Sequence, residues 1–553
     1  MAGNRGAFRL PTQPPDCASR KVAAMPGPDL TFPPRPVIGV TSLLARTAQV
    51  SHRHTATIDG ARQRVWGEVA DRVARAAAGI HALGVRDGDR VAVLAATSDR
   101  QFELFAAVPH AGGVMVSLNW RWSLAELADS LVDAEPVVLF TDKRMLEMGR
   151  ALAAGRPEMT LASIDDLADG LPHYDSMIAN YAKMTDAGRG GDQLYQLAYT
   201  GGTTGRAKAA MLSHRNVIAG SMSAYAECFY REDAVYLFGA PMFHASGSWP
   251  CIALMGSGGT GVLIQHFDPG LALKLIEQHR VTESLLVPAM IQMLIEHPDF
   301  ASADKSSFKT VLYGAAPITE ALLDRALAAF PNTRFTQAYG MTELSPMCAV
   351  LHHEFLLGQA RERGRHRAAG RAIYGVKLRV VNPDGIDVAP GEIGEICASG
   401  ENVMLGYWRR PEETAAALRD GWMHTGDNGW MDEDGFLYIV DRVKDMIITG
   451  GENVYSVEVE NAVARHPAIR QCVVIGIPSE KWGEQVHAIV RLHEGMTATE
   501  AEIIAHTRTL IAGYKVPRSV TFYAGEFPRT PANKILKREL RAPYWEGRER
   551  KIV

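Results

Sequence analysis

Apolar residues recur at helical spacing through Trp66, Val69, Val73, Ala76, Ile80 and Leu83, and Gly84 follows as a stop. A polar turn with Asp87, Gly88 and Asp89 leads into an apolar run at 91–96, which predicts a buried strand. Ser123 and Glu126 have capping-box spacing ahead of a further helix, and 137–140 predicts the next strand. The alternation continues with strands over 194–200, 235–240, 261–265, 284–287 and 310–313, and helices over 271–278 and 319–330 between them. Strand–helix alternation on this scale predicts an α/β fold of mostly parallel sheets flanked by helices.

The pattern changes after about residue 370. Short β-like runs at 377–381, 392–399 and 436–440 are separated by Gly and Pro turns, predicting a β-rich portion. A smaller α+β unit follows, with helices over 456–464 and 500–511 and strands over 472–477 and 487–492. The expected layout is an extension over 1–30, a large domain over 31–440, a hinge at 441–445 and a small mobile domain over 446–553. The first 30 residues lack apolar periodicity and a signal-type apolar core, so a disordered extension is expected. Met25 offers a second start, because the periodic sequence begins soon after it.

Composition narrows the function classes. A chain of 553 residues exceeds one hydrophobic core. The net charge of −4 gives none of the basic excess that marks nucleic-acid binding, so any anionic ligand needs local positive groups. Six scattered cysteines form no CxxC pair, which suits a reducing cytosol and suggests neither a zinc site nor a disulfide framework. No apolar run approaches the ~18 residues that suggest a membrane span. The expectation is a cytoplasmic enzyme, with peripheral membrane contact and homodimerisation left open.

The most informative segment is Tyr199-Thr200-Gly201-Gly202-Thr203-Thr204-Gly205-Arg206-Ala207-Lys208, placed after a strand and before a helical stretch. Its glycines let backbone approach a phosphate, its threonines donate hydrogen bonds and Lys208 adds charge. It is not a Walker A loop, and taken alone it also suits a flexible polar turn. The partners elsewhere decide. In chain order come Tyr339-Gly340-Met341-Thr342-Glu343, Thr425-Gly426-Asp427, Asp441-Arg442-Val443-Lys444-Asp445, Gly450-Gly451-Glu452-Asn453, and a stretch from Pro528 to Ile535 containing Lys534.

These segments resemble, in order, the signatures of the adenylate-forming (AMP-binding) superfamily, which includes acyl-CoA synthetases, peptide-synthetase adenylation domains and luciferases. The resemblance spans about residues 35–545. It implies ATP, Mg2+ and coenzyme A as cofactor and co-substrates, and a carboxylic acid activated first as an acyl-adenylate. It implies ATP binding by Thr200, Gly201, Gly202, Thr203, Thr204, Gly205 and Lys208. An adenine site between Gly314, Ala315, Ala316, Pro317 and Gln337, Ala338, Tyr339 follows, flanked by Gly340, Met341 and Thr342. Asp427, Ile439 and Arg442 are implied at the ribose, and Glu343 with Thr203 as metal ligands. Glu343 suits Mg2+ as a hard oxygen donor, and Asp427 as a carboxylate can accept from both ribose hydroxyls.

The resemblance further implies catalytic roles for Lys534, Thr203, Lys208, His244 and Glu343. His244, Ser248, Trp249, Gly314 and Gly340 are implied around the acyl group, Lys444 at the hinge, and Gly450, Gly451, Glu452 and Asn453 along the CoA tunnel. Two positions depart from the family: Ala209 and Asn533 stand where glycine is usual. Asn tolerates left-handed backbone better than most residues, so the Lys534 loop is expected to remain competent. Leu118-Asn119-Trp120-Arg121 and Ala369-Gly370-Arg371 resemble bacterial medium- and long-chain fatty-acyl-CoA synthetases, so a fatty acid is the expected substrate. The alternatives are an aryl-acid CoA ligase, a ligase delivering to a carrier-protein thiol, and a catalytically inactive nucleotide-binding interaction protein.

Overall fold

Alternating side chains along each buried strand face two different helix layers, and this period of two organises the molecule. A computed structural model describes residues 37–165, 170–200, 207–442, 445–449, 452–479, 481–529 and 535–546, without the side chains of Asp441, Arg442 and Asn453. The expected extension over 1–30 lies outside the described residues. Residues 38–553 form one compact unit.

Two large sheets carry the first three-quarters of the chain. One has nine strands, with a parallel centre of Arg334–Tyr339, Thr310–Gly314, Glu283–Leu286, Val235–Phe238, Thr260–Leu263 and Thr55–Asp59. The other has seven, with a parallel centre of Leu194–Thr200, Val114–Ser117, Arg90–Leu94, Val138–Thr141 and Thr160–Ser163. Val91, Val93 and Met115 of one sheet share a core with Tyr236, Phe238 and Leu312 of the other. Their strand neighbours Ala92, Leu94 and Val116 face a different cluster, as do Leu237, Val311 and Tyr313.

The shared core is filled by helices Trp66–Ala82, Asp99–His110 and Ala245–Ser257, which lie between the sheets. Helix Asp99–His110 buries almost every residue, as a helix covered on all sides must. Phe102, fully buried there, touches Trp66 and Phe238 at ring-centroid distances of 6.0 and 6.2 Å. Truncating such a ring to Ala costs about 3–5 kcal/mol.

The expected capping box is present. Ser123 N donates to Glu126 Oε2 at 2.8 Å, and Glu126 N donates to Ser123 Oγ at 3.3 Å. The β-rich portion is an antiparallel sheet of Val376–Val381, Gly394–Gly400, Trp422–Met431 and Leu437–Arg442, with a short edge strand, Leu418–Arg419. The final unit sets helices Ser456–Val463, Glu500–Arg508 and Lys537–Trp545 against a five-stranded mixed sheet whose longest strands are Ile469–Ser479 and Gly483–Leu492. No helix among the described residues is long and apolar enough to cross a membrane.

One local expectation is corrected. The segment after the glycine-rich loop is a strand, Lys208–Ser213, paired antiparallel with Leu194–Thr200, and helix His214–Ala226 begins only afterwards. The adjacent Ala209 and Ala210 are both buried, in different core clusters, because successive side chains of a strand point to opposite, covered faces.

Candidate active site

The site is assembled where the two large sheets meet the β-rich portion. The residues 201–206 of the phosphate loop lie outside the described residues, including Gly201, Gly202, Thr203, Thr204 and Gly205. Its two flanks are the last and first residues of a hairpin. Thr200 pairs with Lys208, and Thr200 Oγ donates to the Lys208 carbonyl at 3.3 Å. Ala209, where glycine is usual in the resembled signature, is 1% exposed and packs in a core cluster. Its carbonyl accepts from Trp408 N at 2.9 Å, so the extra methyl group is absorbed by packing.

The strand ends Thr310–Gly314 and Arg334–Tyr339 run parallel, with Gly314 opposite Ala338. A Cβ on Gly314 would stand 2.2 Å from the Ala338 carbonyl oxygen, and one on Gly340 would stand 2.1 Å from that of Pro346. Only glycine permits backbone this close at either position. Ala315 follows with φ +61°, a left-handed conformation costly for alanine, so the chain turns sharply as it leaves the sheet. Ala315 and Ala316 are half-buried and Pro317 is exposed. Gln337, Ala338, Tyr339, Gly340, Met341 and Thr342 are all half-buried along the facing edge.

Tyr339 donates its O–H to Asp427 Oδ2 at 2.8 Å. Burial, then the Asp427 charge, push the Tyr339 phenol well above its ordinary pKa, so it remains a donor. Asp427 lies on strand Trp422–Met431 opposite Arg442, and Gly429 lies opposite Ile439. The sheet therefore brings the backbones of Asp427, Ile439 and Arg442 together on two paired strands. Asp427 N donates to Thr425 Oγ at 3.2 Å, and Thr425 Oγ donates to the Ile396 carbonyl at 2.8 Å.

Beneath this turn, Glu395 Oε1 accepts from Gly426 N at 3.2 Å. Glu395, Cys397 and His424 bring potential ligand atoms within 4.8 Å of one another, although no CxxC spacing marks them. Arg419 bonds to His424 Nδ1 at 2.6 Å and to Glu395 Oε2 at 3.1 Å. That guanidinium already supplies the positive charge, and the cluster acts as support for the Thr425–Asp427 turn.

Glu343 is 5% exposed on a short 3-10 turn, Thr342–Leu344. Tyr407, which the motif reading missed, donates its O–H to Glu343 Oε1 at 2.8 Å. The Lys208 ammonium lies over the Tyr407 ring, 5.2 Å from its centroid. A hard carboxylate oxygen donor beside a phosphate-loop lysine fits a Mg2+–triphosphate complex in the chemistry of its donors.

On the acid side, His244 caps helix Ala245–Ser257. Its Nδ1 accepts from Ser246 N at 3.3 Å, which places the proton of the neutral ring on Nε2. The small residues Ala245, Ser246, Gly247 and Ser248 are helical, and Ser248 and Trp249 are 5% and 3% exposed. Trp249 meets Tyr230 edge-on at 5.2 Å, and Phe243 meets Trp120 edge-on at 6.1 Å. Lys444, Gly450, Gly451 and Lys534 lie outside the described residues, as does the Asn453 side chain. Glu452 is exposed at the start of strand Glu452–Val454.

Known proteins share this arrangement. Residues 44–408 match the AMP-binding enzyme family, and residues 458–534 match the AMP-binding enzyme C-terminal domain. The chain is 41% identical to a feruloyl-CoA synthase of an Amycolatopsis species over 511 residues, covering 92% of this chain and 99% of that protein. It is 35% identical to a medium/long-chain-fatty-acid–CoA ligase of Mycobacterium tuberculosis, covering 88% and 86% respectively. The crystal structure of ATP-bound MatB from Rhodopseudomonas palustris superposes with a TM-score of 0.83 at 30% identity, covering 92% and 99%. The chain belongs to the AMP-binding enzyme family of adenylate-forming proteins and is an AMP-forming acid–thiol ligase that uses ATP and coenzyme A.

Proposed function

We propose that this ligase activates an aromatic acid of the feruloyl type, joining its carboxyl group to coenzyme A through an acyl-adenylate. The observation that carries this reading is the 41% identity to a feruloyl-CoA synthase across 92% of the chain. Aromatic rings near the proposed acid side support it: Phe243 and Trp249 flank His244 along the chain and pack edge-on against Trp120 and Tyr230. The fatty acid expected from the sequence is the second reading, favoured by the 35% identity to a fatty-acid–CoA ligase.

In this reading the acid carboxylate attacks the α-phosphate of ATP and pyrophosphate leaves as the α–β bond breaks, so two anions must meet. Lys208 and Lys534 supply positive charge, while backbone N–H groups and hydroxyls of the 200–205 loop hold the phosphate oxygens. Glu343 and Thr203 would hold Mg2+, which supplies charge neutralisation across the phosphates. Tyr339 and the Gly314–Pro317 turn bracket the adenine, and Asp427 accepts from the ribose hydroxyls with Ile439 and Arg442 beside it. His244 stands by the acyl carboxylate.

The domain over 446–553 then turns about Lys444, and the loop with Gly450, Gly451, Glu452 and Asn453 lines the way in for the thiol. The thiol attacks the acyl carbon and AMP leaves. A pyrophosphate-release screen over ferulate, other aromatic acids and fatty acids of graded length, with and without coenzyme A, tests the reading. Turnover confined to aliphatic acids would overturn it in favour of the second.

A further inference from the structure

We propose that Tyr407 is the positioning residue that couples the phosphate-loop lysine to the metal-binding carboxylate. The inference rests on the ATP- and Mg2+-binding reading of the same site, not on the identity of the acid.

Strand pairing explains how one tyrosine reaches both groups. Tyr407 lies opposite Ala210 in an antiparallel pair. Lys208 is two residues from Ala210, on the same sheet face and diagonal to Tyr407, within reach of an aromatic ring. The ammonium accordingly sits over the ring at 5.2 Å. The phenolic oxygen projects the other way, to Glu343 Oε1 at 2.8 Å. In this contact the phenol O–H donates, because the carboxylate oxygen can only accept.

The backbone around Tyr407 fixes this reach. Met404 N donates to the Glu343 carbonyl at 2.9 Å, and Leu405 N donates to the Met211 carbonyl at 2.9 Å. Asn402 Nδ2 donates to the carbonyls of Leu344 and Met347 at 2.8 and 2.9 Å. Tyr407 N donates to Thr414 Oγ at 2.9 Å. Residues 402–408 are thus a strap tying the strand after the phosphate loop, in the seven-stranded sheet, to the turn carrying Glu343, which leaves the nine-stranded sheet. Tyr407 is the side chain through which the strap touches both charged groups.

A carboxylate offers about four lone-pair positions, and the phenol occupies one. The bond restricts rotation of the Glu343 carboxylate, so its geometry toward a cation is set before the nucleotide arrives. Without the hydroxyl, the carboxylate loses one of its restraints, and Mg2+ binding must supply it.

Tyr407→Phe tests this, since it deletes the hydroxyl and keeps the ring under Lys208. The half-saturating Mg2+ concentration for ATP–pyrophosphate exchange is expected to rise about tenfold, the effect of one hydrogen bond to a charged group. The rate at saturating Mg2+ should stay within about threefold. A second readout needs no turnover: the rise in Tm produced by ATP, with and without Mg2+. Tyr407→Phe should lose much of the metal-dependent part and keep the metal-free part. Tyr407→Leu should lose both, because the ring under Lys208 is gone.

An unchanged Mg2+ requirement with an unchanged metal-dependent Tm rise in Tyr407→Phe would overturn the proposal. So would loss of the metal-free rise in Tyr407→Phe, which would make the hydroxyl a general structural group. If wild-type protein showed no exchange with any acid, the proposed function would fail, and the Tm comparison would still decide the role of Tyr407.

Discussion

The Tyr339 phenol donates to Asp427 Oδ2 at 2.8 Å, joining two motifs 88 residues apart. The contact makes one wall continuous from the proposed adenine face to the proposed ribose carboxylate. It also aims the Asp427 carboxylate, because one of its oxygens is held by the phenol.

Tyr339→Phe should therefore raise the KM for ATP by about three- to tenfold while kcat changes little, the pattern of lost ground-state binding. Steady-state kinetics at saturating acid and coenzyme A checks this. A fall in kcat with KM unchanged would place Tyr339 at the reacting atoms instead.

Glu343→Gln should lower Mg2+-dependent pyrophosphate exchange by about 10²–10³, the usual loss for one group aimed at developing charge. The amide oxygen still accepts from Tyr407, so the fold should hold. Glu343→Ala should add about 1 kcal/mol of destabilisation by leaving the half-buried Tyr407 phenol without this acceptor. Exchange rates against Mg2+ concentration, with thermal melts of both variants, separate the two effects.

The large architecture was legible because buried strands carry nearly continuous apolar runs, and the two sheets need such runs on both faces. Thr310–Gly314 and Leu194–Thr200 stand close to where periodicity put them. The motifs were legible because each is local. Tyr407 was not, because its meaning lies in a pairing with Ala210 and a bond to Glu343 some 64 residues earlier. Neither pairing leaves a trace in local spacing. The strand after the phosphate loop was read as helical because the six residues of Lys208–Ser213 precede a true helix whose capping pair, Ser213 and Asn216, lies just beyond.

Two buried histidines should cost stability as pH falls, against Glu103 and Glu283, whose carboxyls burial raises to about 7 and which act in the opposite direction. His214 Nδ1 accepts from Val40 N at 3.1 Å, and burial, then Arg189, hold its pKa down at about 4. Burial likewise holds His487 at about 4, with Ser519 and Tyr544 hydrogen-bonded to its two nitrogens. In each case the folded value lies below the unfolded 6.5, so the unfolded chain takes up protons first as pH falls. Their contribution to stability is full above 6.5 and drains away down to about 4, by on the order of 3 kcal/mol per histidine. Chemical denaturation across that window should show the slope, and His487→Gln should reduce it. An unchanged slope in His487→Gln would mean that this ring protonates freely in the fold.

Among the described residues, two ion pairs tie the first 440 residues to the final unit. Arg465 meets Glu320 Oε2 at 2.6 Å, and Arg470 meets Glu296 Oε2 at 3.5 Å. Burial raises the Glu320 pKa, but its bonds to Arg367 and Arg465 outweigh that and hold the carboxyl below its ordinary range. Partly exposed pairs of this kind contribute about 0.2–1 kcal/mol. If the unit over 446–553 rotates between half-reactions, such pairs bias one pose by only a few-fold, enough to tune the cycle without locking it. Arg465→Ala should then shift the ratio of adenylation to thioester-forming rates by about two- to fivefold, with little change in Tm. High salt should mimic it by screening. Lys534→Ala should behave differently, lowering adenylation by about 10²–10³ while still converting supplied acyl-adenylate and coenzyme A to thioester. Both half-reactions can be followed separately with synthetic acyl-adenylate. If Arg465→Ala moved both rates together and Lys534→Ala lost both while remaining folded, one fixed pose would serve both steps, and the rotation about Lys444 would be wrong for this enzyme.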